Sequence, residues 1–116
     1  METNTEQYQN TNYAAVIIFE SSSEASDYEN LYEEEIVRIC AGSKDEAREN
    51  AIAYAKGAEH SYQNEAGETI SVTFKSLIDV QLMIEESEGV QTLYFRHFRD
   101  YGAYEAFEPL LKGQAL

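Results

Sequence analysis

Several residue types are scarce in this chain of 116 residues, which has one cysteine, one proline, six glycines and no tryptophan. The single cysteine, Cys40, cannot close an internal disulfide or build a cysteine-rich metal site. Six glycines leave little room for a loop that cradles phosphates. No apolar run approaches the ~18 residues of a membrane span, and the first residues lack the basic and apolar regions of a signal peptide. We therefore expect a cytoplasmic protein with no membrane segment, metal or cofactor.

Positive charge is also scarce. There are 22 Asp and Glu residues against eight Lys and Arg, which gives a formal net charge of −14. No Lys or Arg precedes Arg38, whereas nine carboxylates do. Repulsion from this field disfavours nucleic acid and anionic membranes as partners. A surplus of carboxylates either keeps a protein soluble or attracts a basic partner, and both interpretations stay open at this point.

Hydrophobic residues make up 43% of the chain, which is typical of a folded domain. Tyr13–Phe19 is a short, continuous apolar run that predicts a strand buried on both faces, near the sheet centre. Ser21–Asn30 is rich in Ser, Asp and Asn and predicts a connecting loop. Leu31–Ala41 predicts a second strand, in which Glu33–Glu35 are typical of a sheet edge, where charge blocks unwanted strand addition.

A helix is predicted after the second strand. Ser43 and Glu46 match a capping box, in which the serine accepts from the Glu46 N–H and the carboxylate reaches back to the Ser43 N–H. Small residues and tyrosines then recur at helical spacing, which indicates a narrow face that lies close to a sheet. The helix is placed near Lys44–Ser61, and Asn64–Gly67 is interpreted as its stop signal.

The next segment alternates regularly. Apolar residues from Ile70 to Leu82 share one parity, interrupted at Ser76, and the other parity is polar, which predicts a strand with one wet face. An acidic turn at 85–89 leads to Val90–Phe98, so the two runs are interpreted as a long hairpin. Asp100–Leu111 predicts a short helical or turn-rich packing segment, because Pro109 argues against one long helix.

The resulting fold class is α+β. We expect a small antiparallel sheet of about four strands in the order β-β-α-β-β, one helix packed on one face, and a short C-terminal packing segment. Residues 1–11 are interpreted as a flexible tail, residues 12–111 as a single domain and residues 112–116 as a C-terminal tail.

Four stretches of apolar strand and acidic sequence follow one another along the chain: YAAVIIFE, LYEEEIVRICAGSKDEARENA, ISVTFKSLIDV and the closing hairpin with LYFRHF. In this order they resemble a small bacterial domain, domain of unknown function 4288, over residues 13–98. The resemblance implies a small α+β domain. It supplies no activity and no catalytic residue.

Nucleophilic catalysis has few candidates here. Cys40 would need an activating base, and the chain offers only His60 and His97. A lone cysteine on a patterned strand is more often a small buried hydrophobe, which we expect for Cys40. The chain has no GxSxG, no HExxH and no glycine-rich phosphate loop. We therefore expect no enzymatic activity.

Carboxylates on the strands are the remaining chemical candidates. Glu20, Glu34 and Asp79 could act as general acids or bases, although a solvated or hydrogen-bonded structural role is favoured for them. The glutamate runs at 33–35 and 85–88 could attract hard cations, but neither has the spacing or the central glycine of an EF-hand loop. No specific metal site is expected.

One basic island stands out at Tyr94–Arg99, with the sequence YFRHFR. Its cations, Arg96, His97 and Arg99, lie beside three aromatic residues and could bind an anion or stack on a base. The favoured interpretation is that Arg96 and Arg99 neutralise nearby carboxylates while the aromatic rings form core.

The charge favours a small acidic protein-binding module with a basic protein partner, of the kind found among immunity and inhibitor proteins. The partner-binding residues predicted are Tyr28, Glu29, Tyr32, Glu33, Glu34, Glu35, Glu85, Glu86 and Glu88. One alternative is a small-ligand-binding or enzymatic domain that uses the groove between helix and sheet, with Arg96, His97 and a strand carboxylate as its polar groups. A second alternative is a homo-oligomeric structural protein.

Overall fold

The computed structural model describes residues 11–84 and 89–113. Its strands are β1 (Thr11–Ser23), β2 (Leu31–Ala41), β3 (His60–Gln63) and β4 (Thr69–Leu82). Its helices are α1 (Lys44–Gly57), α2 (Tyr101–Phe107) and a single 3₁₀ turn (Pro109–Lys112). The α+β class and the order β-β-α-β-β are confirmed, and β4 is the predicted strand at Ile70–Leu82, but β3 was not predicted and takes the place of the strand expected at Val90–Phe98. None of the described helices is long and apolar enough to cross a membrane.

The four strands form one antiparallel sheet in the order β2-β1-β4-β3. β1 is central, and its residues Ala14, Ala15, Val16 and Ile17 are all buried, so that both of its faces are covered. This confirms the prediction from its continuous apolar sequence. β2 lies at one edge of the sheet, as its three glutamates predicted. β1 is longer than the predicted Tyr13–Phe19, and Thr11, assigned to a tail, is its first residue.

Helix α1 covers one face of the sheet. Ala47, Ala51 and Ala55 are completely buried on it and pack with Ile17 and Val80 in one apolar cluster. Methyl side chains let the helix approach the sheet closely, as the small-residue face predicted. At the start of α1, Ser43 Oγ accepts a hydrogen bond from the Glu46 N–H, 3.1 Å long. The Glu46 carboxylate accepts a 2.7 Å hydrogen bond from the Gly42 N–H, whereas the prediction was the N–H of the next residue, Ser43.

Two β-bulges interrupt β4. The β1–β4 pairs on the helix side are, in order, Ala15 with Val80, Ile17 with Leu77 and Phe19 with Phe74. Ile78 and Lys75 are therefore extra residues without a partner on β1. The prediction that apolar residues of one parity face the core throughout is wrong at Ile78, which is 49% exposed, and at Leu82, which is also exposed. Leu77 packs against the core in place of Ile78.

The chain after α1 turns into a hairpin instead of continuing as a helix. α1 ends at Gly57, and His60–Gln63 pair with Thr69–Val72 of β4 as the edge strand β3. The residues interpreted as a helix stop form the turn of this hairpin, where Asn64 Oδ1 accepts from the backbone N–H groups of Ala66 and Glu68. Gly67 has a φ of 82°, which a glycine adopts without strain. The helix was predicted to continue to Ser61 because Ala58 and Tyr62 follow its helical spacing, and this prediction is wrong after Gly57.

Residues 90–98, predicted as a strand paired with residues 70–82, contain no strand. The segment lies against the sheet face opposite α1, where the Gln81 side chain hydrogen-bonds to the backbone of Phe95 and the Tyr94 hydroxyl to Asp79. The prediction of a wet face is therefore wrong along this part of β4. α2 and the 3₁₀ turn confirm the expected short helical segment, which breaks at Pro109.

Three groups of predicted features lie outside the described residues. They are the flexible tail up to residue 10, the acidic turn at 85–88 and the end of the C-terminal tail at 114–116. Lys112 and Gly113, assigned to that tail, belong to the 3₁₀ turn and to the residue that follows it.

Candidate functional site

Carboxylates gather at one end of the sheet, where β1 turns into β2. We call this region the acidic end, and its members are Glu20, Glu24, Asp27, Glu29, Glu33, Glu34 and Glu35. The antiparallel register brings them together, because Glu20 lies opposite Tyr32 and Phe19 opposite Glu33. Of the described Lys and Arg side chains, only Lys75 forms an ion pair with this group, at 3.4 Å from Glu20. The acidic end therefore keeps most of its negative charge.

Glu20 holds the loop at the acidic end. Its Oε2 accepts hydrogen bonds from the Tyr32 hydroxyl and the Asn30 side-chain amide, both 2.9 Å long. The Tyr32 and Asn30 hydrogen bonds, in that order, and then the charge of Lys75 lower the pKa of Glu20 below its ordinary value. Glu20 therefore stays ionised, which suits a structural and electrostatic role better than acid catalysis.

Two predicted anchors, Tyr28 and Tyr32, lie at the acidic end in different settings. Tyr32 donates to Glu20, yet 55% of the residue is exposed. Tyr28 is half-buried in the loop, where its N–H donates to the Ala25 carbonyl. The neighbouring Glu29 is exposed. Tyr28 and Glu29 thus lie in the loop between β1 and β2, and Tyr32 lies at the start of β2. The other three predicted residues, Glu85, Glu86 and Glu88, lie outside the described part of the chain.

The three consecutive glutamates of β2 divide between the two sheet faces, as strand geometry requires. Glu33 and Glu35 lie on the side of α1, and Glu35 Oε1 accepts a 2.7 Å hydrogen bond from the Tyr54 hydroxyl. This hydrogen bond, followed by burial, raises the pKa of Tyr54. Glu34 lies on the opposite face, near the C-terminal segment. All three belong to the edge strand and leave that edge charged.

A cleft of about 600 Å³ borders the acidic end. Residues from the end of β1 and the start of β4 line it together, because these strand ends are neighbours in the sheet, with Ser23 paired with Ile70. The hydroxyls and carboxylates that line it belong to Ser22, Ser23, Glu24, Glu68, Thr69 and Ser71. Within the described chain, the hydroxyls of Ser22 and Thr69 and the carboxylate of Glu24 have no hydrogen-bond partner. The sequence analysis missed this cleft, since it depends on a pairing between strands almost 50 residues apart.

At the opposite end of the sheet, the described residues of β2 and α1 include as many cations as carboxylates. The cations are Arg38, Lys44 and Arg48, and the carboxylates are Asp45, Glu46 and Glu49. Among these described residues, negative charge is therefore concentrated at the acidic end. The negative zone on which the predicted binding surface depends is present where the N-terminal third of the chain forms the β1–β2 hairpin.

The chemical candidates Cys40, His60 and Asp79 lie on three different strands of the sheet. Cys40 is exposed, contrary to the prediction that it is buried. It belongs to β2, which is an edge strand of the sheet. His60 lies on β3, at the other edge of the sheet. Asp79 accepts from the Tyr94 hydroxyl at 3.0 Å and from the Val80 N–H at 2.8 Å. In residues 11–84 and 89–113, no three His, Cys, Asp or Glu side chains come together as a metal site.

The comparison with protein-family models decides the family. The model described as Domain of unknown function (DUF4288) matches residues 12–95, which is more than half of the chain. The chain belongs to the DUF4288 family. No curated protein and no solved structure matches it. The DUF4288 match contains the four-stranded sheet except for its first residue, Thr11, together with α1 and the acidic end.

The basic island begins at the end of the DUF4288 match, and its predicted role is wrong. Neither Arg96 nor Arg99 forms an ion pair with any residue that the structure describes. Phe95 and Phe98 are 42% and 51% exposed, so they are not core. Tyr94 is the exception, because it is half-buried. Burial and then the hydrogen bond to Asp79 raise its pKa, with a smaller lowering by Arg96 and a smaller rise from Glu34.

Proposed function

We propose that this DUF4288 protein is a small acidic binding module that docks on a basic site of a partner protein. The observation that carries the proposal is the acidic end, where seven carboxylates share a single described ion pair. Carboxylates held on a rigid hairpin speed up encounter with a basic surface and fix the orientation of the complex. Lys75 leaves the net charge of this end strongly negative.

The cleft beside the acidic end gives the proposed contact a specific chemistry. Its free acceptors are hydroxyl and carboxylate oxygens, and none of its lining residues is a cation. A guanidinium carries five N–H donors and no acceptor, so an arginine side chain of the partner matches this cleft. Tyr28 and Tyr32 flank the loop and would supply apolar contact area, since tyrosine is enriched at interfaces.

The proposed partner is a protein whose basic site normally holds a polyanion, such as a nuclease or a toxin that acts on nucleic acid. Carboxylates occupy the positions of phosphates in such a site and exclude the substrate by competition. An immunity or inhibitor protein acts in this way. The negative charge thus explains both attraction to this partner and indifference to nucleic acid itself.

The alternatives receive less support from the geometry. A ligand site between helix and sheet has no room, because Ala47, Ala51 and Ala55 fill that interface without exposure. Arg96, assigned to this groove, lies on the other side of the sheet. A homo-oligomer remains a second candidate because apolar residues of the C-terminal segment, such as Phe107 and Leu110, are exposed. Sedimentation of the purified protein distinguishes a monomer from this alternative.

The proposal is tested by capturing partners from a lysate of the source cells with the tagged protein. Two double variants carry the same change in net charge: Glu29→Gln with Glu33→Gln at the acidic end, and Glu49→Gln with Glu105→Gln elsewhere. All four residues are exposed, so both variants should fold. We expect a partner that is held at about 20 mM salt and released at about 500 mM salt.

The acidic-end variant should retain about tenfold less partner, while the control variant retains the wild-type amount. The captured protein should also carry a basic surface and lose its own nucleic-acid binding when the complex forms. Equal loss in both variants, or capture that does not respond to salt, contradicts docking through the acidic end.

A further inference from the structure

A second concave site lies on the sheet face opposite α1, away from the cleft. It is a groove of about 260 Å³ whose floor contains Val16 and Ile36. Aromatic rings of the C-terminal segment line it, and two of them, Phe98 and Tyr104, stack at 5.0 Å between ring centroids. The hydrogen bond from Tyr94 to Asp79 fixes a third ring at this wall. The groove is therefore partly preformed, and it is lined by both apolar and polar side chains.

Two residues of opposite charge, Glu34 and Arg96, also line the groove. They form no ion pair with each other, and neither has a hydrogen-bond or ion-pair partner among the described residues. Each charge can therefore bind a ligand group. Both residues are exposed, and a hydrogen bond between a charged side chain and a charged ligand group is stronger than one between neutral groups.

The pair of charges selects the ligand class. A simple anion is repelled by Glu34 and by the net charge of −14, and a simple cation is repelled by Arg96. A zwitterion satisfies both side chains and, being neutral overall, is not repelled by the protein. The groove is smaller than the roughly 300–1,000 Å³ of sites for drug-sized ligands, which favours a ligand no larger than one amino acid.

We propose that the groove binds a free α-amino acid with an aromatic or large aliphatic side chain. The ammonium group binds Glu34, the carboxylate binds Arg96, and the side chain lies against Phe98 and Tyr104. This site shares Glu34 with the acidic end and otherwise consists of residues outside the proposed docking surface. Three of its residues, Arg96, Phe98 and Tyr104, follow the part of the chain that the DUF4288 model matches.

Calorimetric titration of the full chain with each standard amino acid tests the proposal. L-phenylalanine or another large apolar amino acid should bind at least about tenfold more tightly than glycine. Phenylethylamine, which lacks the carboxylate, and 3-phenylpropanoate, which lacks the ammonium, should each bind at least about tenfold more weakly than L-phenylalanine. In a parallel NMR titration with L-phenylalanine, the backbone amide chemical shifts of residues around Ile36 and Tyr94 should change.

Variants at the two charged residues test the groove, and the Arg96 variant distinguishes it from the acidic end, to which only Glu34 also belongs. Glu34→Gln and Arg96→Gln should each weaken amino-acid binding about tenfold, whereas Glu33→Gln and Arg99→Gln, which change neighbouring charges outside the groove, should leave it unchanged. All four side chains are exposed, so folding is preserved.

Three results would overturn the proposal. The first is that no amino acid binds at about 10 mM, and the second is that phenylethylamine binds as well as L-phenylalanine. The third is a dimer that dissociates in Phe98→Ser, because a second copy would then cover the groove. None of these results bears on salt-dependent capture by the acidic end.

Discussion

The side-chain amide of Gln81 pairs with the backbone of Phe95 through two hydrogen bonds. Gln81 Nε2 donates to the Phe95 carbonyl at 2.6 Å, and the Phe95 N–H donates to Gln81 Oε1 at 3.1 Å. A side chain thus replaces the backbone of a neighbouring strand. The C-terminal segment is held over a face of the sheet by this pair, instead of extending the sheet at its edge.

Substitution of Gln81 by alanine should release this segment. Two hydrogen bonds of about 1 kcal/mol each are lost, with part of the loss returned by water, so we expect a destabilisation of about 1–2 kcal/mol in urea unfolding. Gln63→Ala, on the exposed strand β3, is the control and should change stability by less than about 0.5 kcal/mol. A Gln81→Ala protein as stable as wild type, with unchanged amide exchange at Phe95, would show that the pair does not hold the segment.

Local patterns in the sequence were enough to place β1, β2 and the start of α1. The bounds of Leu31–Ala41 follow from alternation, and the capping residue Ser43 marks where the helix begins. The bulges at Lys75 and Ile78 could not be predicted, because they arise where β4 adjusts to β1, about 60 residues away. The run Val90–Phe98 has the composition of a strand, but it packs on a face of the sheet, where Gln81 and Asp79 form hydrogen bonds with Phe95 and Tyr94.

Ala51 should tolerate no larger side chain. It is completely buried between α1 and the sheet, so that Ala51→Leu forces the helix outward and should destabilise the protein by about 1–3 kcal/mol. Ala53→Leu places the same residue on the exposed side of α1 and should be almost neutral. The measurement is the midpoint temperature of thermal unfolding, which should be lower for Ala51→Leu than for Ala53→Leu. Similar midpoints would mean that α1 does not pack closely on the sheet.

Tyr94 should make stability depend on alkaline pH. Its raised pKa means that the folded state favours the neutral phenol, so its contribution is present below the ordinary tyrosine value of about 10 and is lost as the pH rises through the folded value. Tyr94→Phe should be less stable by about 1 kcal/mol at neutral pH, and its stability should fall less steeply above pH ~10.

Tyr28→Phe is the control for this titration, because the Tyr28 hydroxyl has no hydrogen-bond partner in the described part of the chain. Its stability should follow the wild-type pH dependence. The measurement is the urea concentration at the midpoint of unfolding, taken from neutral to alkaline pH for the wild type and both variants. Parallel curves for wild type and Tyr94→Phe would contradict the role of the hydrogen bond to Asp79.

Two glycines should respond to alanine in opposite directions. Gly67 has a φ of 82° in the β3–β4 turn, so Gly67→Ala should destabilise the protein by about 1 kcal/mol. Gly57 ends α1 with open space around its Cα, so Gly57→Ala should stabilise the helix by up to about 1 kcal/mol. Chemical denaturation measures the free energy of unfolding of both variants and of the wild type. The same sign for both variants would contradict the turn that replaces the predicted end of the helix.

The acidic end was partly predictable, because its glutamates are neighbours along the chain. Glu20 and Glu24 could not be assigned to it, since their place depends on the register between β1 and β2. The proximity of Glu34 and Arg96 could not be predicted from the sequence for a related reason. These residues are about 60 positions apart and meet only because the C-terminal segment crosses the sheet face.

Amide hydrogen exchange of the protein, with and without its captured partner, shows where the partner docks. If the acidic end is the docking surface, exchange in the complex should be slower at residues 23–35, with little change along α1 and in the C-terminal segment. Protection confined to α1 or to the groove, with residues 23–35 exchanging as fast as in the free protein, would contradict it.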